Sequence, residues 1–457
     1  MYPQSQPIET LVIGAGITGL SAAYRLHQED KHFLLLEASH RTGGLIQTEA
    51  EAGYLLESGP NTFPSTASEI IGLCEDLNLL PIPANPAANK RYLYLKQKLT
   101  ALPQKPWQAL TTPVLSLAGK LRALGEPFRV KCRADDMSVA GFFKHRLGRE
   151  VAENLVDPFI SGIYAGNVET LSLAAVFPKL WQWEQTSGSL WKGFQNKPKH
   201  PVADRHRPKP KLKLLSFEGG LQTLTDALTE ALPVEQVRLN SPVLDIQKEK
   251  SNAYVITLQT GEIILAQNVI LAVPAHIAAR LVKSFMPEGS YNLERIPYSG
   301  LSVAHLGFEK AHIKHPLDGF GCLIPRKENI KLLGTIWASS LFPQRAPDGK
   351  ILLSNFIGGA HHPEVVREKA SQVERQITWD LQRVFGLRGS LEPQFRKVFV
   401  YEKAIPQYNL GHIQRIATIE AKLQKHKGLY LAGNYLRGIA LNECVKSGQL
   451  AADQIIG

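Results

Sequence analysis

The sequence predicts an α/β protein: a doubly wound parallel-sheet domain, a second domain on a mixed or antiparallel sheet (an α+β part), and a helical subdomain. Three observations predict it. Thr10-Leu11-Val12-Ile13 is a continuous apolar run, as in a parallel strand buried on both faces; small residues follow it, then a second run, Phe33-Leu34-Leu35-Leu36. From about residue 299 to 402 the chain is rich in strand-like text (302–308, 321–324, 331–337, 351–357), with a helix at roughly 363–385 before a last strand near 398–401. Between these regions Pro103, Pro106 and Pro113 break a stretch of helically spaced apolar residues.

In the first region Gly14, Gly16 and Gly19 have the spacing that serves a tight turn, a close approach of backbone to pyrophosphate, and close helix–strand packing. Glu37 ends the second strand, where a carboxylate accepts hydrogen bonds from a ribose hydroxyl. Together these describe a Rossmann-type dinucleotide site. Arg41-Thr42-Gly43-Gly44 follows, and such a loop suits the second part of a long, folded-back ligand, which favours FAD over NAD. The turn holding Gly59, Asn61 and Thr62 is expected near the flavin. Near the C-terminus a strand ends in Gly433-Asn434, and a helix from Leu441, after Ala440, directs its first amides at an anionic flavin edge. Val243, in a strand predicted over 237–246, completes the expected cofactor contacts, and 254–258 and 262–265 read as a hairpin before a buried strand at 268–273.

At 457 residues the chain exceeds one ordinary core, so two or three domains are expected. No apolar run approaches the roughly 18 to 20 residues that span a bilayer. The leader, residues 1–9, lacks the features of a secretory signal, which predicts a cytoplasmic protein. Its four cysteines, Cys74, Cys132, Cys322 and Cys444, lie far apart, against a disulfide framework or a metal site. A formal charge of +11 fits nucleic acid, an anionic membrane, an anionic substrate or a plain basic surface alike. The excursion at 197–213 has seven lysines and arginines and four prolines without interleaved aromatics, so it reads as exposed chain rather than a nucleic-acid grip.

Residues 101–124 mix Trp107, Leu110, Val114, Leu115, Leu117, Leu121 and Leu124 with Lys105, Lys120 and Arg122. Two readings fit: a surface dipping into an anionic membrane, so that the protein sits at the periphery of its cytoplasmic face, or a small helical subdomain with its own core. Arg91 opens a strand-like segment and reads as an edge-strand charge or a binding residue. Gly162 and Gly166 are expected in a loop, as turn residues or where backbone approaches a flat ligand.

Six segments stand out: Asn89-Lys90-Arg91-Tyr92, the stretch 157–166 beginning Asp157-Pro158-Phe159, the basic excursion, Phe342-Pro343-Gln344-Arg345-Ala346-Pro347, Phe356-Ile357-Gly358-Gly359 and Ala432-Gly433-Asn434-Tyr435. Taken together they resemble the FAD-dependent protoporphyrinogen oxidases of the plant plastid and related bacterial type, within the larger group that holds amine oxidases. The resemblance covers nearly the whole chain. It implies oxidation of protoporphyrinogen IX to protoporphyrin IX in three two-electron rounds through FAD, within heme or chlorophyll biosynthesis, with dioxygen as acceptor and hydrogen peroxide released. It implies that Arg91 pairs with a substrate propionate, that the Gly162 carbonyl faces pyrrole nitrogens, and that Leu323, Ile336 and Phe356 hold the rings. Chemistry falls to flavin N5, with no catalytic side chain and no metal.

The expected domains are 1–86, 214–285 and 426–457 for FAD; 87–99 and 286–425 for substrate; and 100–213 for the helical part. A homodimer is compatible with the resemblance. One departure is Asn442, where relatives usually have glycine. Rival readings are a coproporphyrinogen III oxidase, an amine oxidase (disfavoured by Asn434, where those enzymes usually carry an acid) and a flavin-binding scaffold without turnover.

Overall fold

The computed structural model describes residues 7–105, 107–132, 134–196, 212–249, 252–387 and 392–457. The basic excursion therefore lies outside the described residues, apart from its last two positions, 212 and 213.

The first sheet runs in the order Val237–Arg238, Phe33–Leu36, Ile8–Ile13, Ile263–Leu271, Tyr254–Leu258, Val243–Lys248, with Leu429–Leu431 also pairing with the Ile263–Leu271 strand. Its central members are parallel, and Leu11 and Val12 are wholly buried, as their unbroken apolar run requires. The first helix (Ile17–Gln28) and the last (Leu441–Ile456) lie against each other, and a β-carbon on Gly448 would stand 2.0 Å from the Thr18 carbonyl oxygen.

Two expectations need correction here. The predicted hairpin arm and the strand after it are one continuous strand, Ile263–Leu271: its start pairs with Tyr254–Leu258 and its end with Leu429–Leu431. Conversely, 237–246 is two strands. Asn240 takes a positive φ of 51°, and Pro242, which has no N–H, cannot donate to a ladder; the chain leaves one partner there and joins another.

The second sheet is mixed, in the order Phe395–Pro406, Tyr298–Glu309, Lys350–Gly358, Leu332–Trp337, Gly319–Leu323, Lys90–Leu95, Lys98–Ala101. Only Gly319–Leu323 against Lys90–Leu95 is parallel. One face is covered by the helix Ala370–Phe385, whose Val373, Ile377 and Leu381 bury against Trp337 and Leu353. That helix is shorter than predicted: Val365–Arg367 is a separate 3₁₀ turn, divided from it by the extended Glu368 and Lys369.

In the helical part Arg146 is fully buried, with Glu184 at 2.5 Å and Glu126 at 3.5 Å. A continuous helix runs through Arg149–Val151, a π-helical segment at Ala152–Val156, and Asp157–Tyr164. Gly162 is thus helical, not in a loop: Asp157-Pro158 comes directly after the π-helical segment, the helix continues to Tyr164, and it ends at Ala165, left-handed at φ 46°. No helix among the described residues is long and apolar enough to cross a membrane.

Candidate active site

The glycine loop crosses the carboxyl ends of the parallel strands, where doubly wound sheets bind ligands. Gly14 sits at φ +100°, and a β-carbon on Gly19 would fall 1.8 Å from the Gly14 carbonyl oxygen, so no other residue fits without rearrangement. The Gly43 amide donates to the Ala15 carbonyl at 2.8 Å, and a β-carbon on Gly44 would come within 3.1 Å of Gly16 Cα. The Glu37 carboxylate accepts from the Ala15 amide at 2.7 Å and the Ser39 amide at 2.9 Å. Ser241 donates to the Glu37 carbonyl at 2.8 Å, bringing Val243 to the same edge.

Arg41 donates to the carbonyls of Thr42, Gly44 and Ile46 and to Gln47 Oε1, so it shapes its own loop. Gly59 passes so close to that loop that a β-carbon would lie 2.3 Å from the Leu45 carbonyl, and Asn61 donates back to Gly59 at 3.1 Å. Thr62 follows, half-buried.

From the other side, Gly433 donates to Ser447 Oγ at 2.9 Å, and the Asn434 carbonyl accepts from the Tyr408 hydroxyl. Ala440 precedes the last helix without a side-chain cap, which leaves the amides of Leu441 and its first turn without intrahelical partners. Glycines that admit no side chain, an acid at the strand end and two helix starts without side-chain caps form a cradle that fits a dinucleotide cofactor.

The other predicted residues meet on the second sheet. Register places His305, Ser354, Ile336, Gly321 and Arg91 in one row across five strands, and Val303, Phe356, Gly334, Leu323 and Leu93 in the row two residues away. Alternation along each strand puts both rows on one face, so Arg91, Leu323, Ile336 and Phe356 share it. Gly162 faces it from the helical part: a β-carbon there would stand 2.4 Å from Leu323 Cδ2, and one on Gly334, the cross-strand partner of Leu323, would stand 3.1 Å from the same atom. The Gly162 carbonyl lies in the last helical turn, where carbonyls lack helical amide partners. Arg91 has no carboxylate within 4 Å among the described residues; its guanidinium stands 5.0 Å over the Phe320 ring, and these surroundings lower its pKa by desolvation. Its neighbour Lys90 is paired with Asp318 at 2.5 Å.

Sequence reasoning missed the polar seam between this sheet and the cofactor side. Arg345, almost wholly buried, donates to Glu57 at 3.2 Å, to Ser216 at 3.0 Å and to the Phe217 carbonyl at 3.2 Å. Burial pushes the Glu57 carboxyl up and the Arg345 guanidinium down, each opposed by the other's charge. His305 Nε2 donates to the Glu57 carbonyl at 3.0 Å, so in the neutral ring Nδ1 accepts from the Ser354 hydroxyl, also at 3.0 Å. Burial pushes the His305 pKa down to about 4, which keeps the ring neutral. A cavity of about 10 Å³, room for one water, is lined by Glu57, Asn61, Arg345, Ser354 and Ile336 among others. The local signal for this seam is Arg345 within Phe342-Pro343-Gln344-Arg345-Ala346-Pro347, a sequence that by itself carries no role.

The chain matches the family described as flavin containing amine oxidoreductase over residues 17–456. It is 33% identical to the chloroplastic protoporphyrinogen oxidase of Nicotiana tabacum, covering 98% of this chain and 86% of the relative. It is 30% identical to the coproporphyrinogen III oxidase of Bacillus subtilis (strain 168), covering 98% and 97%. The crystal structure of a protein from Exiguobacterium sp. 255-15, assigned as a protoporphyrinogen oxidase, superposes with a TM-score of 0.82 at 25% identity, covering 99% of both chains.

Proposed function

The chain belongs to the flavin-containing amine oxidoreductase family, and from that premise we propose that it oxidises protoporphyrinogen IX to protoporphyrin IX, passing electrons to dioxygen. The cofactor is FAD, which when bound accepts a hydride at N5. The observation that carries the reading is the sheet face shared by Arg91, Leu323, Ile336 and Phe356, with Gly162 opposite. A porphyrinogen is a large, mostly apolar macrocycle with carboxylates at one edge. Leu323, Ile336 and Phe356 supply apolar contact for the rings, Phe356 by stacking. Arg91 offers a charge-assisted contact to a propionate, and the Gly162 carbonyl an acceptor to pyrrole N–H. No side chain need act as base: the protein positions a meso carbon toward the flavin, and each two-electron round releases one proton to solvent beside the hydride, so that three rounds remove six hydrogens and leave two pyrrole N–H groups on the product.

The same site supports coproporphyrinogen III as the rival substrate, since a relative of that name is 30% identical. The charge pattern favours protoporphyrinogen, which carries two propionates rather than four: among the described residues Arg91 has no acid within 4 Å, while Lys90 is held by Asp318. Anaerobic mixing of the FAD-loaded protein with each porphyrinogen tests this. Protoporphyrinogen IX should bleach the flavin absorbance faster at equal concentration. A preference for coproporphyrinogen III would overturn the substrate assignment, and bleaching by neither would overturn the reaction.

The division into FAD, substrate and helical parts given above is part of this proposal, as is peripheral contact with an anionic membrane. On the helix Leu117–Leu124, Leu117, Leu121 and Leu124 are 75%, 62% and 66% exposed, and Phe128 beyond it is 89% exposed. Arg122 instead turns inward to the carbonyls of His145 and Arg146. Trp107, Trp191 and Phe194 of the helical part are exposed too, with Lys192 next to Trp191 in the chain and Lys131 three residues after Phe128; exposed apolar residues with basic neighbours suit the headgroup boundary of anionic lipid.

A further inference from the structure

Asn442 is the second residue of the last helix, yet its side chain serves another element. Asn442 Oδ1 accepts from the amides of Glu69 and Ile70 at 3.1 and 3.3 Å, and its Nδ2 donates to the Glu69 carboxylate. The helix Ser68–Asp76 has no cap of its own, because Ala67 precedes it. Asn442 therefore caps that helix from 373 residues away, while its own backbone amide belongs to the uncapped first turn of Leu441–Ile456. The segment Gly59–Thr62 is followed by the short strand Phe63–Pro64 and then, after three residues, by the capped helix. One side chain thus joins the last helix to the helix that follows the turn expected near the flavin.

We propose that Asn442 is a positioning residue that sets the separation of these two helix starts, and thereby how closely the Leu441 turn meets the reduced flavin. This rests on the FAD reading above. Amides at a helix start favour a negatively charged ligand, and reduced flavin carries more negative charge at its pyrimidine edge than the oxidised form. Loosening the tie should weaken the reduced form more.

The test compares wild type, Asn442→Ala and Glu69→Ala as holoenzymes, measuring the FAD midpoint potential and the dissociation constant of FAD. Asn442→Ala should lower the potential and raise the dissociation constant by about tenfold, the scale of one lost helix cap. Glu69→Ala, which removes one of the three bonds, should move both in the same direction by less. An unchanged potential in Asn442→Ala, even with a lower melting temperature, would reduce Asn442 to a simple cap and overturn the proposal. If Asn442→Ala does not fold, an unchanged potential in Glu69→Ala does the same. A wild-type protein that takes up no FAD would instead overturn the reading beneath it.

Discussion

Arg345 and Glu57, 288 positions apart in the chain, form a buried ion pair that joins the second sheet to the turn leading to Asn61. Replacing Arg345 by Met strands a buried carboxylate that also holds the Leu221 amide and Thr48 hydroxyl, and should destabilise by about 3 to 5 kcal/mol. Glu57→Gln keeps one acceptor for the Leu221 amide and turns an N–H toward the Thr48 hydroxyl oxygen, while Arg345 keeps Ser216 and the Phe217 carbonyl, so it should lose less. Urea unfolding checks the ranking, and equal losses would mean that the charge contributes nothing beyond its shape.

For Arg91 the expected effect is on binding. Arg91→Ala should raise KM for protoporphyrinogen by about 10- to 100-fold, the range of one charge-assisted contact, with a smaller change in kcat. A fall in kcat at constant KM would place Arg91 outside the propionate contact.

Gly162→Ala puts a methyl group 2.4 Å from Leu323 Cδ2, so the Leu323 side chain must shift to make room. Overpacking of this kind costs about 1 to 3 kcal/mol. Turnover should fall while FAD content stays unchanged, and Leu323→Ala in the same chain should restore part of it. Steady-state assays beside flavin absorbance check both.

Acid should reveal His305. Its folded pKa, pushed down to about 4 by burial, lies below the unfolded value near 6.5, so as pH falls through that window the unfolded chain binds a proton that the folded one refuses. The stability is whole above pH 6.5 and lost toward pH 4, by about 3 kcal/mol. Asp380, raised to about 6 by burial, runs the other way, so the difference from His305→Gln isolates the histidine. Urea unfolding from pH 7 to 4 should show wild type losing more stability than the variant; parallel curves would contradict it.

On vesicles, the protein should float with anionic liposomes and not with zwitterionic ones, and Leu117→Glu with Leu121→Glu should abolish flotation without altering turnover of soluble substrate. Flotation that survives both substitutions would move the contact elsewhere.

What was readable in the chain followed distance. Gly14, Gly16, Gly19 and Glu37 lie within one strand–helix–strand unit, where spacing alone carries the geometry. The second sheet's strands were legible one by one from their apolar runs. Which residues share a face depends on register, and nothing local specifies that Ile336 pairs with Gly321 and Gly321 with Arg91. Gly162 looked like loop because glycines flank a short apolar run, yet packing against Leu323 favours helix there. Arg345 with Glu57, and Asn442 with Glu69, join residues hundreds of positions apart, and polar residues that satisfy one another in a core look like surface residues in one dimension.

The π-helical segment at Ala152–Val156 widens one turn of an otherwise regular spiral. An i→i+5 turn takes up one residue more than an α-helical turn, so losing one residue from this stretch would close it to an α-helical turn, shorten the path to Asp157–Tyr164 and shift Gly162 against Leu323. Spelling there is negotiable so long as the tally holds: the segment works as a spacer, and a single-codon deletion should do more harm than most exchanges within it.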